Sequence, residues 1–128
     1  MRIFKTRWLR RYARRERIAD ESLREAIERA ERGLVDADLG GGVIKQRVAR
    51  AGQGRSGGYR MLVAYRAGER AVFLYDFAKR ERENIDADEL LTLREIGAAW
   101  LAADAGQIAR ALDEEALQEV PHEETDAT

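Results

Sequence analysis

Residues 59–78 read YRMLVAYRAGERAVFLYDFA. Two runs rich in Val, Leu, Tyr and Phe flank Ala67-Gly68-Glu69, a pattern that predicts two strands, Tyr59–Arg66 and Arg70–Ala78, joined by a tight hairpin turn. Both runs are apolar on both faces, so the sheet they build needs cover on both sides. A three-residue turn sets Arg66 opposite Arg70, and counting outward from there sets Arg60 opposite Asp76.

The segments around this hairpin supply the cover. Upstream, Val43–Ala49 (VIKQRVA) has a period of two, with Lys45 and Arg47 on one face and Ile44, Gln46 and Val48 on the other. It follows Gly40-Gly41-Gly42 and precedes a glycine-rich stretch, Ala51–Gly58 (AGQGRSGG), read as a flexible connection carrying Arg55. That stretch lacks the lysine and hydroxyl of a phosphate-binding P-loop and no helix follows it. Further upstream, Arg2–Lys5 reads as a short first strand. Trp8, Leu9, Tyr12 and Ala13 then form one helical stripe. Leu23, Ala26, Ile27, Ala30 and Leu34 form a second, with Asp20 as expected N-cap and Gly33 as terminator. Downstream, Leu90, Leu93, Ile96, Gly97, Trp100 and Leu101 mark a helix capped by Asp86 or Asp88. A shorter helix is expected over Ala105–Leu112 and a brief extended piece over Ala116–Val120. The expected fold class is α+β: a mostly antiparallel four-stranded sheet in the order β-α-α-β-β-β-α-α, with the N-terminal helical hairpin on one face and the C-terminal helices on the other.

The chain has 128 residues. That length suits a single domain, expected over residues 1–120, followed by a flexible acidic tail over 121–128. With no cysteine, thiolate catalysis, disulfides and cysteine-based metal sites are excluded. His122, the one histidine, has no partner at ligand spacing. No signal peptide is read at the N-terminus, and no stretch approaches the roughly 18 apolar residues of a membrane span. A cytoplasmic protein is expected. The formal net charge of −1 conceals an asymmetry: residues 1–82 hold 21 Lys and Arg against 11 Asp and Glu, and the remainder holds 2 against 13. A positive field over the first two thirds points to a polyanionic partner.

Several of these cations converge once the strands are assembled. In an antiparallel meander, the start of one strand lies beside the end of its neighbour. Arg60, at the start of its strand, therefore approaches the block Lys79-Arg80-Glu81-Arg82 that follows the last strand. Lys45 and Arg47 reach the same region if their strand borders that of Arg60. Two further arrangements also fit RNA: the arginine-rich face of the first helix, and Tyr59, Tyr65 and Tyr75 interleaved with arginines. Tyrosines in strands also serve as core residues with a hydrogen-bonded tip.

SGGYR (Ser56–Arg60), a hairpin and then FAKRER (Phe77–Arg82) resemble the RelE/ParE superfamily of toxins from type II toxin–antitoxin pairs. ADLGGGVIKQRVA and the C-terminal helices resemble its HigB-like branch. The resemblance implies a ribosome-dependent mRNA endonuclease, working without metal or other cofactor, in which a ribose 2′-hydroxyl attacks the adjacent phosphate. It implies catalytic roles for Lys45, Arg47, Arg60 and Arg80: Lys45 as base or electrostatic equivalent, Arg60 on the phosphate and Arg80 near the leaving group. Lys79, Arg82, Arg55 and Tyr59 are then further RNA contacts. The implied partners are the ribosome, mRNA and a cognate antitoxin of helix-turn-helix type. Where such toxins often carry a tyrosine after the basic loop, this chain has Ile85 and Asp86. Two alternatives share the fold: a non-enzymatic ParE-like toxin acting on gyrase, and an inactive RNA-binding or interaction domain.

Overall fold

The computed structural model describes residues 1–50, 54–76 and 86–121, with the backbone alone for 54–57. The elements run β1 (Arg2–Thr6), α1 (Arg7–Glu16), α2 (Asp20–Glu31), β2 (Ala37–Asp38), β3 (Val43–Arg50), β4 (Gly54–Arg66), β5 (Arg70–Asp76), α3 (Ala87–Ala102), α4 (Ala105–Asp113) and β6 (Leu117–Val120). The strands form one sheet in the order β2-β3-β4-β5-β1-β6. Its strand pairs are antiparallel except β1 with β5, which run parallel.

The class is the expected α+β, but the described residues hold six strands in the sheet rather than four. Both additions lie at the edges and are too short to show a period. Ala37–Asp38 turns back onto β3 through Gly40–Gly42, all three at positive φ. Leu117–Val120 pairs with β1. The glycine-rich stretch is also corrected, because from Gly54 onward it is the beginning of β4.

Alternation along the strands sends two sets of side chains to opposite faces, as the period of two predicts. On the first face Ile44, Val48, Met61, Val63 and Phe73 pack with Leu9, Ala13, Leu23 and Ile27 of the helical hairpin. On the second, Phe4, Val43, Leu62, Ala64 and Val72 pack with Leu101, Ile108 and Ala111 of α3 and α4. Phe4 and Phe73, one on each side, are fully buried. Among the described residues no helix is long and apolar enough to cross a membrane.

Caps and ion pairs set the helices in place. Thr6 caps α1 through its Oγ1, which accepts from the Leu9 N–H at 3.2 Å and donates to the Leu74 carbonyl at 3.2 Å. Asp20 is not the N-cap of α2, a position held by Ala19. Its carboxylate instead accepts from the buried Lys5 ammonium at 2.8 Å, tying α2 to β1. Asp86 caps α3 in a reciprocal capping box with Glu89. Arg66 and Arg70 donate to the last carbonyls of α3, at Leu101 and Trp100 respectively. They hold that end of α3 at the hairpin turn.

At Gly58 the backbone of β3 leaves no room for a side chain on β4. A Cβ there would lie 2.0 Å from the Val48 carbonyl oxygen and 3.1 Å from the Arg50 nitrogen. Both obstacles are backbone. Gly58→Ala is expected to destabilise the fold by about 3 kcal/mol, measured as the shift in the urea midpoint. An unchanged midpoint would show that the strands separate freely at this point.

Candidate phosphate-binding site

Arg47 and Arg60 are directly opposed on β3 and β4. Directly opposed residues share a face and hold their Cβ atoms about 4.5–5.5 Å apart. Arg60 is therefore not opposite Asp76, as counting from the turn predicts. One extra residue on β5, Leu74, shifts the register: Leu62 pairs with Tyr75 and Val63 with Phe73, so Met61 falls opposite Asp76. Freed of that carboxylate, Arg60 makes no ion pair with any described residue, and neither does the Arg47 side chain. Two guanidinium groups this close repel each other unless an anion sits between them.

Lys45 lies one row inward on the same face, opposite Leu62, and is half-buried. The row continues through Tyr75. Here the cover of the second face changes. Over Val43, Ala64 and Leu74, α3 sits close enough that only Gly97 fits. Near Tyr75 its first turns stand off, leaving an open recess of about 350 Å³ lined by Tyr75, Asp88, Glu89, Thr92 and Leu93. The cations are thus carried on the middle rows of the β3–β4 ladder, which runs on through Val48–Tyr59 to Arg50–Gly54, on the side away from the β4–β5 turn.

What holds β3 in place at Arg47 was not legible as a motif. β2 pairs only with Ile44 and Lys45, so beyond them β3 has no strand on its outer side. Side chains take over. The Asp36 carboxylate accepts from the Arg47 N–H at 2.7 Å, and the Arg29 guanidinium donates to the Arg47 carbonyl. Arg29, 3 % exposed, also meets Glu25 at 2.9 Å and Asp36 at 3.5 Å. Beside it the fully buried Gln46 accepts from the Asp36 N–H at 2.7 Å and donates to the Ala26 carbonyl at 2.8 Å. An arginine three places after Ala26 and directly before Ala30, within the apolar side of α2, is the signal that could have marked Arg29.

Tyr59 points to the other face, where it is buried and its ring meets Tyr12 edge-on at 6.0 Å. Its hydroxyl lies 3.3 Å from both Glu16 and Arg50. Tyr65 bonds Glu31 through its hydroxyl. Tyr75 is half-buried against Trp8, with ring centroids 4.6 Å apart. Each of these tyrosines thus has its ring packed or its hydroxyl bonded within the protein. Lys79, Arg80, Arg82 and His122 lie outside the described residues, as does the side chain of Arg55. Among the described residues no group of three His, Asp or Glu side chains is placed to hold a metal ion.

Tyr12 ties α1 to the end of β5. Its hydroxyl donates to the buried Asp76 carboxylate at 2.7 Å. Burial, and then this bond, push its pKa well above the ordinary tyrosine value. The folded state therefore keeps a proton that the unfolded chain releases near pH 10. Stability from this group is complete below pH 10 and falls as pH rises above it. Alkaline unfolding should show that loss, and Tyr12→Phe should flatten it; an identical slope in both proteins would rule the linkage out.

A search of curated proteins finds no match to this chain. A family model does match, over residues 1–120, and its description is the RelE toxin of the RelE/RelB toxin–antitoxin system. By that match, which spans every strand and helix described above, the chain belongs to the RelE toxin family.

Proposed function

We propose that the protein is a ribosome-dependent mRNA endonuclease of the HigB-like branch, neutralised by an antitoxin of helix-turn-helix type that covers these cations. The observation that carries this reading is the opposed pair Arg47 and Arg60, two cations on one face with no carboxylate partner among the described residues. An RNA phosphate between them supplies the missing negative charge. In the reaction, the ribose 2′-oxygen bonds to the adjacent phosphorus and the bond to the 5′-oxygen breaks. This leaves a 2′,3′-cyclic phosphate and a 5′-hydroxyl. The 2′-hydroxyl proton passes to a base and the leaving oxygen takes up a proton. The two arginines stabilise the charge that builds on the phosphorane. Lys45, one row inward, is the candidate base or its electrostatic equivalent, and Arg80 the candidate group at the leaving oxygen. Lys79, Arg82 and Arg55 are the proposed further contacts to RNA; Tyr59, buried on the opposite face, is not one of them.

A purified translation system tests the reading directly. Adding the protein should cut the message only when ribosomes are translating it, leaving cyclic-phosphate ends. An intact message would overturn it, and inhibited gyrase supercoiling alongside would identify the ParE-like alternative.

A further inference from the structure

The other strongly charged surface lies across the sheet, on α1. The helix reads RWLRRYARRE, and it buries Leu9 and Ala13. Arg11, Arg14 and Arg15 stand at i, i+3 and i+4, all exposed on the outward side. Arg11 and Arg14 make no ion pair with any described residue. The one acid of the helix, Glu16, is drawn toward the sheet, where it meets Tyr59 and Arg50, with Arg15 at 3.7 Å. The negative end of the helix dipole favours Arg14 and Arg15 in the last turn, but it does not reach Arg11.

The aromatic residues beside this surface offer no free stacking platform. Trp8 stacks on Tyr12 with centroids 5.1 Å apart and planes at 10°, and it also leans on Tyr75. Arg15 lies over the Tyr12 ring at 5.3 Å. A splayed base would have to displace one of these partners. Contacts here fall to phosphates alone, which suits a base-paired stem whose bases are turned inward. The same rings also join the two faces, since Tyr59 belongs to the α1 side and Tyr75 to the Lys45 row. They hold the α1 surface at a set position relative to Arg47 and Arg60.

We infer that the outer face of α1, centred on Arg11 and Arg14, is a second phosphate-binding surface that docks a double-stranded RNA stem independently of sequence. It shares with the proposed function only the premise that RNA is the polyanion. The test uses the purified full chain with two probes, an RNA hairpin with a long stem and a short single-stranded RNA. In Arg11→Glu/Arg14→Glu, hairpin affinity at 0.1 M salt should fall at least tenfold. The log–log salt dependence should become shallower by about one to two units, while single-strand affinity stays within twofold. Arg11→Gln/Arg14→Gln should give a smaller loss in the same direction, which guards against an effect of charge reversal on folding. Unchanged hairpin binding in both variants would overturn the inference. So would displacement of the hairpin by polyglutamate at equal charge concentration, which would identify an acidic protein as the partner. Arg60→Ala reports separately: if it leaves single-strand binding intact, the proposed cleavage site fails while the hairpin result still decides α1.

Discussion

On the proposed function, Arg60→Ala should abolish growth arrest on expression of the protein and lower message cleavage by about 10²–10³-fold, the usual cost of removing one preorganised group from a developing anion. The size of the effect follows from position. Arg60 is half-buried on the strand that carries most of the pairing, between β3 and β5, so its backbone has little freedom. Its removal also relieves the repulsion with Arg47, so the variant should be at least as stable as the parent. Loss of activity with a retained or raised unfolding midpoint is therefore the expected pair of results. A variant that stays toxic would remove the arginine pair from the mechanism, and one that merely unfolds would contradict the electrostatic argument.

Arg29→Met should produce the complementary result. The Arg29 side chain forms no hydrogen bond to the side chain of Arg47 or Arg60, yet it holds the Arg47 carbonyl and the Asp36 carboxylate that in turn holds the Arg47 N–H. Removing a buried charge from such a set costs about 3 kcal/mol, because the groups left behind lose their partner. Asp36 and Glu25 are partly exposed, so water recovers some of that loss and the lower end of the range applies. The specific readout is hydrogen exchange at the Arg47 amide. It should lose protection beyond the global change, and RNA binding should fall with it. Arg47→Ala keeps both backbone bonds, so it should lose RNA binding with its stability nearly intact. If Arg29→Met lowers stability while the Arg47 amide stays as protected as its neighbours, the arginine is a packing residue and the edge of β3 is held by pairing with β4 alone.

The two variants separate what local pattern encodes from what it does not. Alternation in VIKQRVA correctly assigned Lys45 and Arg47 to one face and Ile44, Gln46 and Val48 to the other, because the side-chain period of a strand is a property of its own backbone. The turn at Ala67-Gly68-Glu69 set Arg66 against Arg70 for an equally local reason. The same counting failed six residues further on. A single extra residue at Leu74 displaces every pair beyond it, and the bulge is tied to a distant group, the Thr6 hydroxyl on the Leu74 carbonyl. Asp20 shows the same limit at a helix end, where a side chain suited to capping is taken by Lys5 from another strand.

By itself, then, the sequence determined the class of the fold, most of its elements, the face on which each strand residue lies, and the asymmetry of charge. These follow from periodicity and composition, which each segment carries alone. The tertiary structure decided which residues meet. It set Arg47 opposite Arg60, added the edge strands β2 and β6, ran β1 parallel to β5, and replaced the missing neighbour of β3 with Arg29 and Asp36. Each of these depends on the relative placement of segments far apart in the chain. A shift of one residue changes every partner beyond it while leaving the local pattern that the sequence displays almost unaltered.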